Sequence, residues 1–186
     1  GDTDYILGNW GENSKFKASA DVPMLLYYND FDNNGQTETI VTTAKNGKYY
    51  PLMGLDALAS QVVSFKKKYH SYKDFAGQTI EEILNEDQLE TSKKLEVNTL
   101  KTGYLRNDNG QFTFVPLGYD FQVAPILSFC KFDFDNDGRD EVLAAGNYFG
   151  VQPFHGRLDS FGGVLIKNAD TFIPGDQIGL DFTQKS

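Results

Sequence analysis

Two acidic segments of the chain share one pattern, D-x-D-x-[DN]-G-x-x-E. They are Asp30-Phe31-Asp32-Asn33-Asn34-Gly35-Gln36-Thr37-Glu38 and Asp133-Phe134-Asp135-Asn136-Asp137-Gly138-Arg139-Asp140-Glu141. Oxygens at positions one, three and five can converge on one centre if the backbone curls around it. Glycine at position six permits the sharp turn, position seven can offer a main-chain carbonyl, and glutamate at position nine closes the shell. The candidate ligands are therefore Asp30, Asp32, Asn34, Gln36 and Glu38 in the first copy, and Asp133, Asp135, Asp137, Arg139 and Glu141 in the second. Such an all-oxygen set suits a hard cation, and Ca²⁺ better than Mg²⁺ because it accepts many flexible oxygen ligands. An Asx-rich turn that binds nothing needs the Asp, Asn and Gly, but it needs no glutamate at the same offset twice. An EF-hand needs an acid at position twelve and flanking helices. Val41 and Ala144 stand there instead, inside β-type runs. With carboxylates at positions one, three and five, the second copy is expected to bind more tightly than the first, where Asn34 replaces an acid. Repetition favours a structural staple over catalysis, which calls for an open coordination position beside an acid or base.

The elements that must position these loops are strands. Met24-Leu25-Leu26-Tyr27-Tyr28 and Thr39-Ile40-Val41 flank the first loop; Ile126 to Cys130 and Val142 to Ala145 flank the second. Gly103 to Pro116 reads as a hairpin around an Asn-Asp-Asn-Gly turn, and Gly163 to Pro174 as a shorter one, each following an acidic loop. Gly8-Asn9-Trp10-Gly11 recurs as Gly146-Asn147-Tyr148-Phe149-Gly150. The interval from Pro116 to Pro174, about 58 residues, suits a four-stranded propeller blade. From Asp30 to Pro116 is about 86 residues and from Asp133 to Pro174 about 41, so the first unit carries about 45 extra, which reads as an insertion. Within it Leu55, Leu58, Val62, Phe65 and Tyr69 fall at helical spacing, Thr79 to Glu82 is a capping box, and a third helical stretch is expected over 86–94.

The expected fold is mainly β: about two to two and a half β-propeller-like blades, an incomplete propeller, with a small helical insertion at about 52–96. The expected segments are 1–11 as the remnant of a preceding blade, 12–116 as the first blade, 117–175 as the second and 176–186 as a tail. Open blade edges make edge-to-edge self-association an expectation as well.

Composition narrows the function. The 186 residues include 15 Phe and 10 Tyr, which marks a folded chain, and the formal net charge is −9. That charge disfavours nucleic acid, because no basic stripe is available to displace counterions. Lys66-Lys67-Lys68 is the densest basic run and reads as a solvated helix face. A single cysteine, Cys130, excludes an internal disulfide and is expected as a buried small side chain. No stretch reads as a membrane span, so membrane insertion is not expected.

The loops, the Gly-Asn-aromatic-Gly strand ends and the hairpins resemble FG-GAP or VCBS repeats, the blades of integrin-α-like β-propellers. Asn9 to Phe16 and the helical insert resemble more narrowly the repeat proteins associated with the ASPIC/UnbV domain of bacteria. The resemblance implies a calcium-stabilised propeller in a secreted, periplasmic or cell-surface protein, with a glycan or protein ligand. The expected role is a non-enzymatic binding or scaffold surface. A fragment of a carbohydrate-active enzyme such as a polysaccharide lyase is the alternative, and its only candidate grouping is His155, Arg157, Asp159 and Ser160. A connector with no ligand beyond Ca²⁺ is a third reading. Trp10, Tyr148 and Phe149 are candidates for a sugar platform, although sheet packing also requires aromatic residues.

Overall fold

The computed structural model describes residues 2–151, 155–168 and 171–183. The chain is mainly β, with three antiparallel sheets and five short α-helices among these residues. It divides into two compact units, Lys17–Thr99 and the pair of segments Gly1–Phe16 and Leu100–Ser186.

The unit Lys17–Thr99 is built on strands β2 (Met24–Asn29), β3 (Glu38–Lys45), β4 (Lys48–Pro51) and β5 (Lys93–Val97), in the order β4-β3-β2-β5. β2 and β3 flank the first acidic loop. β3 turns into β4 through Asn46 and Gly47, both at positive φ (52° and 74°), which is the backbone a two-residue hairpin requires. Between β4 and β5 lie helices α1 (Leu55–Gln61), α2 (Ser64–Lys68), α3 (Tyr72–Phe75), α4 (Ile80–Ile83) and α5 (Glu86–Thr91). The apolar spacing from Leu55 to Tyr69 serves two helices instead of one, and it does face a core. Leu55, Leu58, Val62, Phe65 and Tyr69 pack with Leu25, Tyr27, Phe31 and Ile40 of the sheet and its loop. The insertion thus covers one face of the first sheet. β5 lies where the third helical stretch was expected to end; its five exposed residues, with Lys93, Lys94 and Glu96, make a charged edge that discourages pairing with another chain.

Short helices depend on their caps. At α4 the Glu82 carboxylate accepts from the Thr79 N–H at 2.7 Å, and this bond holds its pKa below the usual glutamate range. The folded state then binds fewer protons than the unfolded chain in acid. The contribution is present above the ordinary carboxylate pKa and is lost as pH falls through the lowered folded value. A Glu82→Gln variant is expected to flatten that part of the acid limb when urea midpoints are followed against pH.

In the other unit, β8 (Ile126–Phe132), β9 (Glu141–Gly146), β10 (Val164–Asn168) and β11 (Thr171–Pro174) form a simple meander, and β8 and β9 flank the second acidic loop. A separate sheet joins β1 (Tyr5–Leu7) to the hairpin of β6 (Gly103–Asp108) and β7 (Gln111–Pro116), whose turn is Asn109-Gly110. The grouping of sheets therefore differs from the expected 12–116 blade. The hairpin 103–116 pairs with the N-terminal strand, and the first loop's sheet is completed by β4 and β5. The cause is local: β4 is joined to β3 by a two-residue turn, so the loop's own neighbour fills the sheet position before the later hairpin is reached.

The recurrent Gly-Asn pair has a packing explanation. A Cβ on Gly8 would lie 2.1 Å from the Ile126 carbonyl oxygen, and one on Gly146 would lie 2.0 Å from that of Pro125. The next residues bond the same segment: the Asn9 carbonyl accepts from Ile126 N–H at 3.0 Å, and Asn147 N–H donates to the Pro125 carbonyl at 2.7 Å. Cys130 is exposed, contrary to expectation, because a β-bulge between Ile126 and Ser128 shifts the alternation of β8, so that Phe129 packs against the core and Cys130 faces away from it.

Candidate metal centre

Each acidic loop is wound by the same four hydrogen bonds. In the first, the Asp30 carboxylate accepts from the N–H groups of Asn34 (3.0 Å) and Gly35 (2.8 Å). Asn34 Oδ1 accepts from Gln36 N–H at 2.8 Å, and Glu38 Oε2 from Phe31 N–H at 2.9 Å. In the second, Asp133 accepts from Asp137 (3.1 Å) and Gly138 (3.0 Å), Asp137 Oδ1 from Arg139 (2.8 Å), and Glu141 Oε2 from Phe134 (2.7 Å). The turn needs positive φ at two positions, and the pairs match: Asn33 at 59° and Asn136 at 58°, Gly35 at 87° and Gly138 at 85°. Asparagine tolerates this region and glycine enters it freely, which is why those types stand there.

The winding gathers three acids per loop. Asp30, Asp32 and Glu38 present oxygens that all lie within 4.8 Å of one another, and so do Asp133, Asp135 and Glu141. Glu38 is 6% and Glu141 4% exposed, so each triad contains a buried carboxylate beside two others. Such a cluster is costly unless a cation compensates it. Both triads can hold a metal ion, and their all-oxygen donors are those of a hard one. In the first, Asp32 Oδ1 is buried and has no hydrogen-bond partner among the described residues, which fits an oxygen reserved for a ligand. Asp137 stands outside the second triad. The side chains of Asn34 and Asp137 brace the N–H groups of Gln36 and Arg139, and the latter two side chains are exposed.

The surroundings of the loops differ. Phe31 is 3% exposed within the sheet–helix core, and its carbonyl accepts from Gln88 Nε2 of α5 at 2.8 Å. Phe134, at the same position of the second loop, is 42% exposed. Lys167 on β10 approaches the second triad, with Nζ 2.6 Å from Asp135 Oδ2. That bond is the main cause holding the Asp135 pKa below, and the Lys167 pKa above, their usual values. Lys167 was not legible as a partner of this loop, since it is 32 positions from Asp135 in the sequence. Only strand register brings them together. β10 pairs Ile166 with Val142, and Lys167 follows at a β-bulge of β10, where its ammonium reaches Asp135.

The remaining candidates are arranged otherwise. Arg157 Nε bonds Asp159 Oδ2 at 2.7 Å, a pair two residues apart with the arginine side chain 83% exposed. The His155 ring lies 5.1 Å from that of Phe16, and burial lowers its pKa. Ser160 is exposed. Trp10 packs against Tyr148 with ring centroids 5.5 Å apart. Gln152, Pro153 and Phe154, beside this grouping, lie outside the described residues. His70 is exposed on the surface of the helical insertion.

The chain matches no protein-family profile, no curated protein and no solved structure.

Proposed function

We propose that this chain is a calcium-binding β-repeat module in which Ca²⁺ is structural and the sheets present a binding or scaffold surface. The observation that carries the reading is the repetition of one cage. Two loops in different sheets share backbone conformation, hydrogen bonds and the same three gathered acids. Asp30, Asp32 and Glu38 would hold one ion, and Asp133, Asp135 and Glu141 the other. The ion supplies positive charge that lets a buried glutamate and two aspartates share one centre. The residues supply a preformed loop joining two neighbouring strands, so that binding favours the folded pairing of β2 with β3 and of β8 with β9.

Several observations support placing the chain among propeller-type repeats. The second loop lies in a four-stranded meander, β8 to β11, and the first in a four-stranded antiparallel sheet. The resemblance of the loop sequence to FG-GAP and VCBS repeats points the same way. An exported setting follows from that likeness, and weak oxygen cages fill where calcium is abundant. A glycan or a protein is the proposed partner class. The lyase alternative draws less support, because Arg157 is engaged by Asp159 instead of standing free to neutralise a substrate carboxylate.

The test is thermal melting with calcium and with a chelator. A calcium-dependent rise in Tm is expected. A Tm indifferent to both would contradict the reading.

A further inference from the structure

We infer that the two cages are unequal, the first filling at lower calcium concentration, because Lys167 serves the second as an internal counter-cation that an incoming ion must displace. The inference rests on the metal reading above and concerns how its two sites divide the work. Backbone geometry does not separate them, since their φ angles and their four hydrogen bonds coincide. Charge environment does. Among the described residues no lysine or arginine pairs with Asp30, Asp32 or Glu38, and Asp32 Oδ1 is buried without a partner. In the second triad the equivalent residue, Asp135, is already bonded to an ammonium group. Counting carboxylates ranks the second loop as the tighter site. Within the triads the carboxylates are equal at three each, and the Lys167 ammonium leaves the second triad with the smaller net negative charge.

Sheet topology explains why only one loop acquires the lysine. β10 runs beside β9 as far as the acidic loop, which delivers Lys167 to Glu141 and Asp135. In the first sheet the corresponding neighbour, β4, ends at Pro51, opposite Thr42, and the chain turns away into α1 at Leu55. No side chain of β4 reaches the level of Glu38. Helix α5 braces the first loop instead, through Gln88 on the Phe31 carbonyl. The first cage is thus anchored and lacks a cation; the second is open and carries one. A calcium ion entering the second must either release Lys167 from Asp135 or do without that carboxylate.

Gly35 and Gly138 report the two sites separately, because each amide donates to the first aspartate of its loop. Calcium chloride would be titrated into the whole chain while both amide resonances are followed by NMR. In the wild type the Gly35 signal is expected to reach its midpoint at lower calcium than Gly138. In Lys167→Met the Gly138 midpoint should move about fivefold lower, the upper range for a partly exposed ion pair. Lys167→Arg, which keeps the charge, should keep the wild-type order. Coincident midpoints, or Gly138 leading in the wild type, would overturn the inference. So would a Gly138 midpoint that Lys167→Met leaves in place, even with calcium bound normally at Gly35. A titration that moves neither glycine would overturn the metal reading itself.

Discussion

Phe31→Ala is expected to destabilise the protein by about 3 to 5 kcal/mol, the range for removing a buried aromatic ring. Phe31 is the second residue of the first acidic loop, yet its side chain is 3% exposed and packs in the core shared by the sheet and the helical insertion. Its loss opens a cavity among Leu25, Tyr27, Ile40 and the helices, and it frees the loop at its base. The same substitution at Phe134 is expected to cost far less, within about 1 kcal/mol, because that ring is 42% exposed. Urea denaturation of the two variants checks the contrast. Equal losses would mean that the loops are anchored alike, which the difference in burial argues against. Phe31→Ala should also raise the calcium needed to shift Gly35, since the N–H of that residue bonds Glu38 and its carbonyl holds Gln88.

Calcium at about 100-fold over its dissociation constant is expected to stabilise the folded chain by about 2.7 kcal/mol for each site that fills. For a unit of this size that corresponds to a Tm rise of roughly 10 °C or more. Asp30→Ala and Asp32→Ala should each remove the first site's share. Asp30 also accepts two main-chain N–H groups, so its substitution weakens the loop without any metal. The informative quantity is therefore the difference between melts in calcium and in chelator, taken for each variant. That difference cancels damage to the metal-free fold. Asp32 makes the cleaner variant, because its Oδ1 has no partner to lose among the described residues. Should Asp32→Ala retain the full calcium increment, the first cage would not be the binding site.

Local chemistry made much of this legible in the sequence. The loops are encoded by residue types whose reasons are short-range: Asn and Gly where φ is positive, and Asp at the first position to accept the N–H groups of positions five and six. The strands on either side, the Asn109-Gly110 turn and the helical insertion were readable on the same grounds. Strand β4 follows from Asn46-Gly47, a strong hairpin signal, whereas the longer repeat spacing carries no sign of it. β5 gives no such signal. Its exposed run of lysines and glutamate has no buried face to give an alternation. The pairing of the 103–116 hairpin with β1, and of Lys167 with Asp135, depends on register between distant segments. Neither follows from spacing along the chain. The expected rank of the two cages counts carboxylates, which a sequence shows, whereas the inferred order rests on the Lys167 ammonium beside Asp135, which spacing along the chain does not locate.

The most direct test of the central claim is a count of bound ions. Equilibrium dialysis against radioactive calcium should find two ions per chain at saturation, one in Asp30→Ala, one in Asp133→Ala and none in the double variant. A wild-type chain that retains no calcium, or a count that neither substitution lowers, would contradict the account.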